Sequence, residues 1–439
     1  MLKGIKLKNF RSFGNLEVNF TTKSQKPKKL IMIYGENGSG KSNLMGSILF
    51  LKKTLDTLSS QENFNKIYDE AEIDKLDNEI LKELIKESRT SLASEIVKNK
   101  LIGSNENMVL EFDYLYANNK EAKYKMEFDD EKIIYESLYC QIEKNLVKTF
   151  EITTDKIYFN NNLFINEKYK KEIEEKVLKY FGKHSFLSII SNERVINNIK
   201  YMNLNVSKSF LKALAELHNC SLSYKQHNTE YSYISANKTL MVLKQGVISK
   251  KEKKTLLNIE ESLSNYFSCL YSDIKGIHFE LEENDNNIKY LLYFDKLING
   301  KIRFVPYYLE SMGTLKLLDI FPYIYNCLKS GTVFIDEIDT GVHDVLMKHI
   351  LENLEKQIKG QLIITTHNTM LLQKMKADYS YVINVDINGN KTLNCIKDFG
   401  RIQNNHNVST RYLNGIFGGV PQPGYMDFTD IMSNIEQEE

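Results

Sequence analysis

Leu30-Ile31-Met32-Ile33-Tyr34-Gly35-Glu36-Asn37-Gly38-Ser39-Gly40-Lys41-Ser42-Asn43-Leu44-Met45-Gly46-Ser47-Ile48-Leu49 decides how the rest of the chain is read. Five apolar residues predict a buried strand, the apolar run after Asn43 predicts a helix, and the loop between them reads G-x-x-x-x-G-K-S. Glycines at those positions let the backbone turn its N–H groups onto phosphate oxygens. The helix N-terminus adds a dipole that favours negative charge. Lys41 is placed to reach the β- and γ-phosphates of a nucleotide, and Ser42 to hold Mg2+. Gly35, Glu36, Asn37, Gly38, Ser39, Gly40, Lys41, Ser42 and Asn43 are the candidate nucleotide-binding residues.

A second stretch completes the chemistry. Thr332-Val333-Phe334-Ile335-Asp336-Glu337 is an apolar strand that ends in two acids, and a buried strand tip is a costly place for carboxylates unless a cation or water uses them. Asp336 is the candidate Mg2+ ligand, and Glu337 the candidate group that polarises an attacking water. The next apolar run, Gln361-Leu362-Ile363-Ile364-Thr365-Thr366, ends in His367, a second candidate catalytic residue.

A glutamate directly after the strand aspartate, followed by a histidine that ends the next strand, resembles the ABC-type ATPases. The resemblance implies a signature motif before Asp336, and Leu309-Glu310-Ser311-Met312-Gly313-Thr314 stands there. It agrees with L-S-G-G-Q only at Ser311 and Gly313. Its E-S-x-G-T form is similar to the RecF/OLD-like, SMC-related branch and to bacterial abortive-infection ATPases of that branch. Ile5-Lys6-Leu7-Lys8-Asn9-Phe10-Arg11-Ser12-Phe13 resembles the branch's first strand and turn, which makes Arg11 a further nucleotide candidate, with an exposed basic turn as the other reading. Asp339-Thr340-Gly341-Val342-His343 occupies the place of the loop that crosses the family's dimer interface. Tyr412-Leu413-Asn414-Gly415-Ile416-Phe417-Gly418-Gly419-Val420-Pro421 resembles a C-terminal segment of the abortive-infection ATPases, but a glycine-rich turn closing the domain is the better reading. What the resemblance implies is ATP and Mg2+ as ligands, a γ-phosphate contact by His367, and a head-to-tail dimer. In that dimer Ser311 and Gly313 of one subunit close over the ATP of the other. The family's linking glutamine has no clear place, Gln141 being a candidate.

Composition narrows the class. The 439 residues are 42% apolar and 26% charged, with a formal charge of +1, so the chain reads as globular and whole-chain charge makes no case for nucleic acid. Lys23, Lys26, Lys28 and Lys29 form a local basic cluster, either a solvated loop or a patch. Five scattered cysteines without a C-x-x-C argue against a zinc hook and fit a reducing cytoplasm. No run approaches the length of a membrane span, and no leader pattern opens the chain.

Gly40 and Gly313 are 273 residues apart, so the expected fold is α/β: an ABC-type P-loop head split by a helical insertion of moderate length. The expected parts are 1–50 (head, Walker A), 51–106 (helical insertion), 107–160 (antiparallel strands of the head), 161–273 (helical insertion or short arm) and 274–439 (head with signature, Walker B and His367). Ile73, Leu76, Ile80 and Leu84 share one helix face. Only 72 residues follow His367, too few for an added TOPRIM nuclease domain. Two roles are consistent with this reading. One is a cytoplasmic anti-phage ATPase that dimerises on ATP and regulates a separate effector protein, its partner surface on the insertion. The other is a RecF-like DNA-repair clamp, which keeps DNA open as a partner. No membrane partner is expected.

Overall fold

All five residues of β3 (Leu30–Tyr34) are buried, yet they do not share one core. Ile31 and Ile33 join one apolar cluster, and Leu30, Met32 and Tyr34 another. Successive side chains of a strand leave opposite faces, so a strand buried on both sides lies in a middle layer. The computed structural model describes residues 1–70, 91–226, 229–235, 238–400, 407–421, 424, 426–428 and 432. The helix face expected at Ile73 to Leu84 and most of the acidic tail lie outside the described residues.

The middle layer is a seven-stranded sheet. Across it run β10 (Thr229–Tyr233), β9 (Cys220–Gln226), β15 (Thr332–Ile335), β16 (Gln361–Thr365), β3, β17 (Ser380–Val385) and β18 (Lys391–Cys395). The inner five strands are parallel and the two edge strands antiparallel. A second, antiparallel sheet orders β2 (Phe13–Asn19), β1 (Leu2–Phe10), β4 (Met108–Tyr116), β5 (Lys120–Phe128), β6 (Ile133–Ile142), β7 (Asn145–Thr153) and β8 (Ile157–Phe159). Burial alternates strictly along β4, so this sheet packs on one face.

Helix α1 (Lys41–Glu70) starts at the glycine loop and lies between the two sheets. Leu44, Met45, Ile48, Leu49, Phe50, Leu51, Leu55 and Leu58 are all buried, the all-round apolar pattern of a helix with layers on both sides. Five more helices extend this layer: α2 (Leu92–Asn99), α3 (Glu167–Tyr180), α4 (Phe186–Ile196), α5 (Ile199–Asn205) and α6 (Lys208–His218). Helix α4 is keyed into α1. Ser188 Oγ accepts from the Leu58 N–H at 3.0 Å, and Ser185 Oγ donates to the Thr54 carbonyl at 3.1 Å. Those two backbone groups are four residues apart on α1, so α4 inserts hydroxyls at one rung of its ladder. Beneath the start of α4, Glu136 is fully buried and accepts from Phe186 N at 2.5 Å, Leu187 N at 3.2 Å and Tyr124 Oη at 2.8 Å.

The opposite face of the parallel sheet carries α7 (Lys238–Met241), α8 (Lys253–Leu270), α9 (Met312–Lys329), α10 (Asp344–Glu355), α11 (Leu371–Lys374) and α12 (Val408–Leu413). A four-stranded sheet of β11 (Gln245–Ser249), β12 (Ile274–Glu283), β13 (Asn287–Ile298) and β14 (Lys301–Pro306) packs with them. Among the described residues no helix is long and apolar enough to cross a membrane.

At the end of the parallel sheet remote from the glycine loop, one side chain joins the two sheets. Gln361 is wholly buried; its Oε1 accepts from Leu2 N at 2.7 Å, and its Nε2 donates to the carbonyls of Leu2 and Lys28, each at 2.9 Å.

Two expected boundaries need correction. Residues 51–58 are not an inserted lobe: α1 continues unbroken from the loop, and its leucines fill the core of the head. The range 161–273 is divided, because β9 and β10 inside it belong to the parallel sheet of the head. Strand β9 pairs directly with β15, Leu222 opposite Phe334.

Candidate functional site

Parallel register brings the predicted residues together. Ile33 pairs with Thr365, Ile364 with Ile335, and Ile335 with Ser223. The next residues on each strand therefore emerge side by side at the carboxyl edge: Gly35, His367, Asp336 with Glu337, and Tyr224 to Gln226. That edge is where open α/β sheets bind ligands.

The loop from Gly35 to Gly40 leads straight into α1, with φ of +78° at Gly38 and +116° at Gly40. Lys41 is buried, and its Nζ donates to the Gly35 carbonyl at 2.7 Å and the Glu36 carbonyl at 3.0 Å. Burial lowers its pKa, opposed by the charges of Asp336, Glu337, Glu36 and Asp339. Glu36 is half-buried and Asn37 is exposed at the loop's rim. Asn43 Nδ2 donates to Ser12 Oγ at 2.7 Å, fastening the start of α1 to the β1–β2 turn.

Asp336 is buried while Glu337 and His367 are exposed. Thr365 Oγ1 donates to Asp336 Oδ1 at 2.6 Å and accepts from Glu337 N at 2.7 Å. Burial raises the Asp336 pKa, and hydrogen bonds from Thr365 and Ser42 oppose the rise. Glu337 adopts a φ of +48°, uncommon for a side chain of its size, and its Oε2 accepts from Thr340 Oγ1 at 3.3 Å. Although its side chain reaches solvent, partial desolvation of the ring, then the nearby Lys41 charge, lowers the His367 pKa, with Asp339 and Glu337 opposing, which favours the neutral imidazole.

The donor set fits a phosphate-bound divalent cation. Ser42 and Asp336 are hydrogen-bonded oxygen donors at the mouth of the loop, hard ligands of the kind Mg2+ takes, and a cation there would relieve the buried carboxylate. The Oγ of Ser39, inside the loop, is buried without a hydrogen-bond partner.

Ser311 is the N-cap of α9, its Oγ accepting from Thr314 N at 3.2 Å, and Ser311 and Met312 are exposed. A Cβ on Gly313 would lie 2.6 Å from the Gly341 carbonyl oxygen, so only glycine allows the signature turn to abut the loop after Glu337. His343 ends that loop by capping α10. Arg11 is half-buried rather than an exposed basic turn. Its Nε donates to Asn99 Oδ1 at 2.6 Å, one terminal nitrogen to Tyr224 Oη at 2.7 Å, and the other to Gln226 Oε1 at 3.2 Å. The basic cluster divides: Lys28 is buried against Asp378, Cys395 and the Tyr381 ring, and Lys29 donates to the Ile358 carbonyl.

Three residues at the site escaped sequence reasoning. Thr365 bridges both acids. Lys391, opening β18, donates to the Gly38 carbonyl at 3.0 Å and has no local signal. Gln226 ends β9 beside the Asp336 strand, whereas Gln141 sits in the antiparallel sheet, bonded to Glu121 N and the Glu143 carbonyl. Gln226 thus lies at the nucleotide edge and Gln141 does not; the alternating Cys220–Gln226 stretch is short and holds few apolar residues, so it stands out little from the helices around it.

Residues 30–373 match the family described as "AAA domain, putative AbiEii toxin, Type IV TA system". Endonuclease GajA of Bacillus cereus is 24% identical over 433 residues, covering 84% of this chain; the chain spans 58% of that relative's length. An ATP/GTP phosphatase of Helicobacter pylori is 22% identical, covering 85% of this chain and 87% of its own. The Retron Vc95 probable ATPase of Vibrio cholerae is 23% identical, covering 87% and 73%. Among solved structures, an SMC head bound to the C-winged helix domain of ScpA is 13% identical with a TM-score of 0.42, covering 90% of this chain and 96% of that one.

Proposed function

Because this chain belongs to the family described as "AAA domain, putative AbiEii toxin, Type IV TA system", an ABC-type ATPase family of the OLD- and SMC-related branch, we propose that it is a Mg2+-dependent ATP hydrolase serving as a regulatory ATPase in anti-phage defence. The observation that carries the hydrolase reading is the meeting of Lys41, Ser42, Asp336, Glu337 and His367 at one sheet edge, with Thr365 tying the two acids together. The abortive-infection form of Glu310–Thr314 and Tyr412–Pro421, and relatives that include a retron ATPase, support the defence role.

In this mechanism the loop's N–H groups and Lys41 hold the β- and γ-phosphates, Lys41 exchanging its carbonyl partners for phosphate oxygens. Ser42 and Asp336 would hold Mg2+, which neutralises charge developing on the transferred phosphoryl group. Glu337 accepts a proton from the attacking water, its carboxylate aimed by Thr340 and its backbone by Thr365. Neutral His367 offers a hydrogen bond to the γ-phosphate. Ser311 and Gly313 of a second copy complete the site, so ATP joins two heads and hydrolysis releases them. Their altered spacing is what a separate effector would sense.

The test separates binding from turnover. Lys41→Ala is expected to abolish ATP binding, and Glu337→Gln to leave binding intact and stop phosphate release. Wild-type hydrolysis by Glu337→Gln would overturn the assignment.

A further inference from the structure

The glycine-rich C-terminal segment lies against the first residue of the glycine loop. The ring of Tyr412 packs on that of Tyr34, the last residue of β3, with centroids 5.7 Å apart. Tyr412 Oη donates to the Gly419 carbonyl at 2.8 Å, folding the segment back on itself. Phe417, almost wholly buried, anchors the fold-back against Phe399. Gly418 and Gly419 have φ of +71° and +66°. A Cβ on Gly419 would overlap Val382 Cγ1 and stand 3.0 Å from the Ile383 carbonyl oxygen and 3.4 Å from Gly35 Cα. A Cβ on Gly35 would in turn meet Ile383 at 3.4 Å. Gly419, Ile383 and Gly35 are thus stacked backbone to backbone, and Gly35 supplies the carbonyl that Lys41 Nζ holds.

We propose that Tyr412 and Gly419 are positioning residues of the nucleotide site: the Tyr412–Gly419 clasp sets the Gly35 end of the loop and, through the Gly35 carbonyl, the place of Lys41. The inference rests on the nucleotide-binding reading above and gives the segment a task within it. Neither residue belongs to the glycine loop; both act through Tyr34, Ile383 and Gly35. Both φ and space at Gly419 admit only glycine, which a mere closing turn at a domain surface would not require.

The experiment measures the dissociation constant of a fluorescent ATP analogue and the melting temperature of the nucleotide-free protein. It compares wild type, Tyr412→Phe, Gly419→Ala and Lys41→Ala. Tyr412→Phe keeps the ring on Tyr34 and removes one neutral hydrogen bond, so its ATP affinity is expected to fall about fivefold. Gly419→Ala, which must displace the stack, is expected to weaken binding more. A purely structural segment would lower the melting temperature and leave the affinity of the folded protein at the wild-type value. That result in Tyr412→Phe overturns the proposal, whether or not Gly419→Ala folds. Wild-type protein that binds no ATP overturns the nucleotide-site reading and this proposal together. ATP binding lost in Lys41→Ala but unchanged in Tyr412→Phe overturns this proposal alone.

Discussion

Thr365→Val tests how the two acids are held. The hydroxyl is wholly buried; it donates to Asp336 Oδ1 at 2.6 Å and accepts from Glu337 N at 2.7 Å. Valine keeps the shape and the branching and removes both bonds. A hydrogen bond to a carboxylate contributes about 1.5–3 kcal/mol and one to a backbone N–H about 0.5–1.5, so the substitution is expected to cost about 2–4 kcal/mol of stability. Losing the bond that opposes burial also moves the Asp336 pKa further up. A carboxyl with a raised folded-state pKa keeps its proton in the fold, so its contribution to stability falls as pH rises from its ordinary value of 3.8 through the folded value. The variant should therefore lose more stability than wild type on raising the pH across that window. Function is affected through Glu337, whose φ of +48° is a strained position for a non-glycine residue and is held by this bond. With the hydroxyl gone, turnover is expected to fall at least about tenfold, less than for Glu337→Gln, because a positioned general base contributes roughly 10²–10⁴. Thermal unfolding across pH and phosphate release are the assays, with Thr365→Ser as the variant that retains the hydroxyl. A Thr365→Val protein that melts and hydrolyses like wild type would show that the bridge neither stabilises the acids nor aims them.

The closing of the site by a second copy is tested by mixing. Ser311→Arg, on an exposed helix cap, should bind ATP but hydrolyse it poorly alone, and regain activity when titrated with Lys41→Ala subunits; no gain at any ratio, with subunit exchange demonstrated, refutes the head-to-tail arrangement. Burial pushes the Glu136 carboxyl from 4.5 to about 7 despite its three donors, so its contribution to stability declines as pH rises through that interval. Glu136→Gln should flatten that part of the melting-temperature profile, and an unchanged slope would mean another group titrates there. His218 is held neutral, its pKa lowered to about 4 by burial, so stability from this residue is full above its ordinary 6.5 and lost as pH falls toward 4. His218→Gln should melt with a shallower acid limb than wild type; equal acid limbs would reject the assignment.

The nucleotide loop is legible because its signal is local: one strand, eight residues and a helix start carry it, whatever packs around them. The same holds for Thr332–Glu337 and Gln361–His367, where apolar runs stop at polar tips. Strand β9 is less visible. Cys220-Ser221-Leu222-Ser223-Tyr224-Lys225-Gln226 has few apolar side chains although the strand is central, because Ser221 and Ser223 are buried and hydrogen-bonded instead of apolar. Its Ser221 hydroxyl accepts from Asn326 and its Ser223 carbonyl from Asp336 N, partners supplied by distant segments. Missing β9 hid Gln226 and extended the helical region by a strand pair. Helix α1 was cut short for the opposite reason: a helix with sheets on both sides lacks the one-sided stripe that marks a surface helix. The Tyr412–Gly419 clasp depends on a contact with Tyr34 across 378 residues and leaves no periodic trace.

The Gln361 amide has a kinematic consequence. Its hydrogen-bonding capacity toward β1 and the lead-in to β3 is used at one end of the sheets, while Arg11, reaching from the β1–β2 turn to Tyr224 and Gln226 of β9, ties the same two sheets at the nucleotide edge. Two plates tied at both margins resist sliding and turning alike. A rearrangement driven from the phosphate loop that moved one sheet against the other would have to break the Arg11 bonds at the near margin before it loaded the Gln361 bonds at the far one. Hydrogen exchange at the Leu2 amide, which donates to Gln361, reports on the far tie. Slow exchange with and without ATP marks a tie that holds through the nucleotide cycle, and a nucleotide-dependent loss of protection there would mean that the sheets part at that margin.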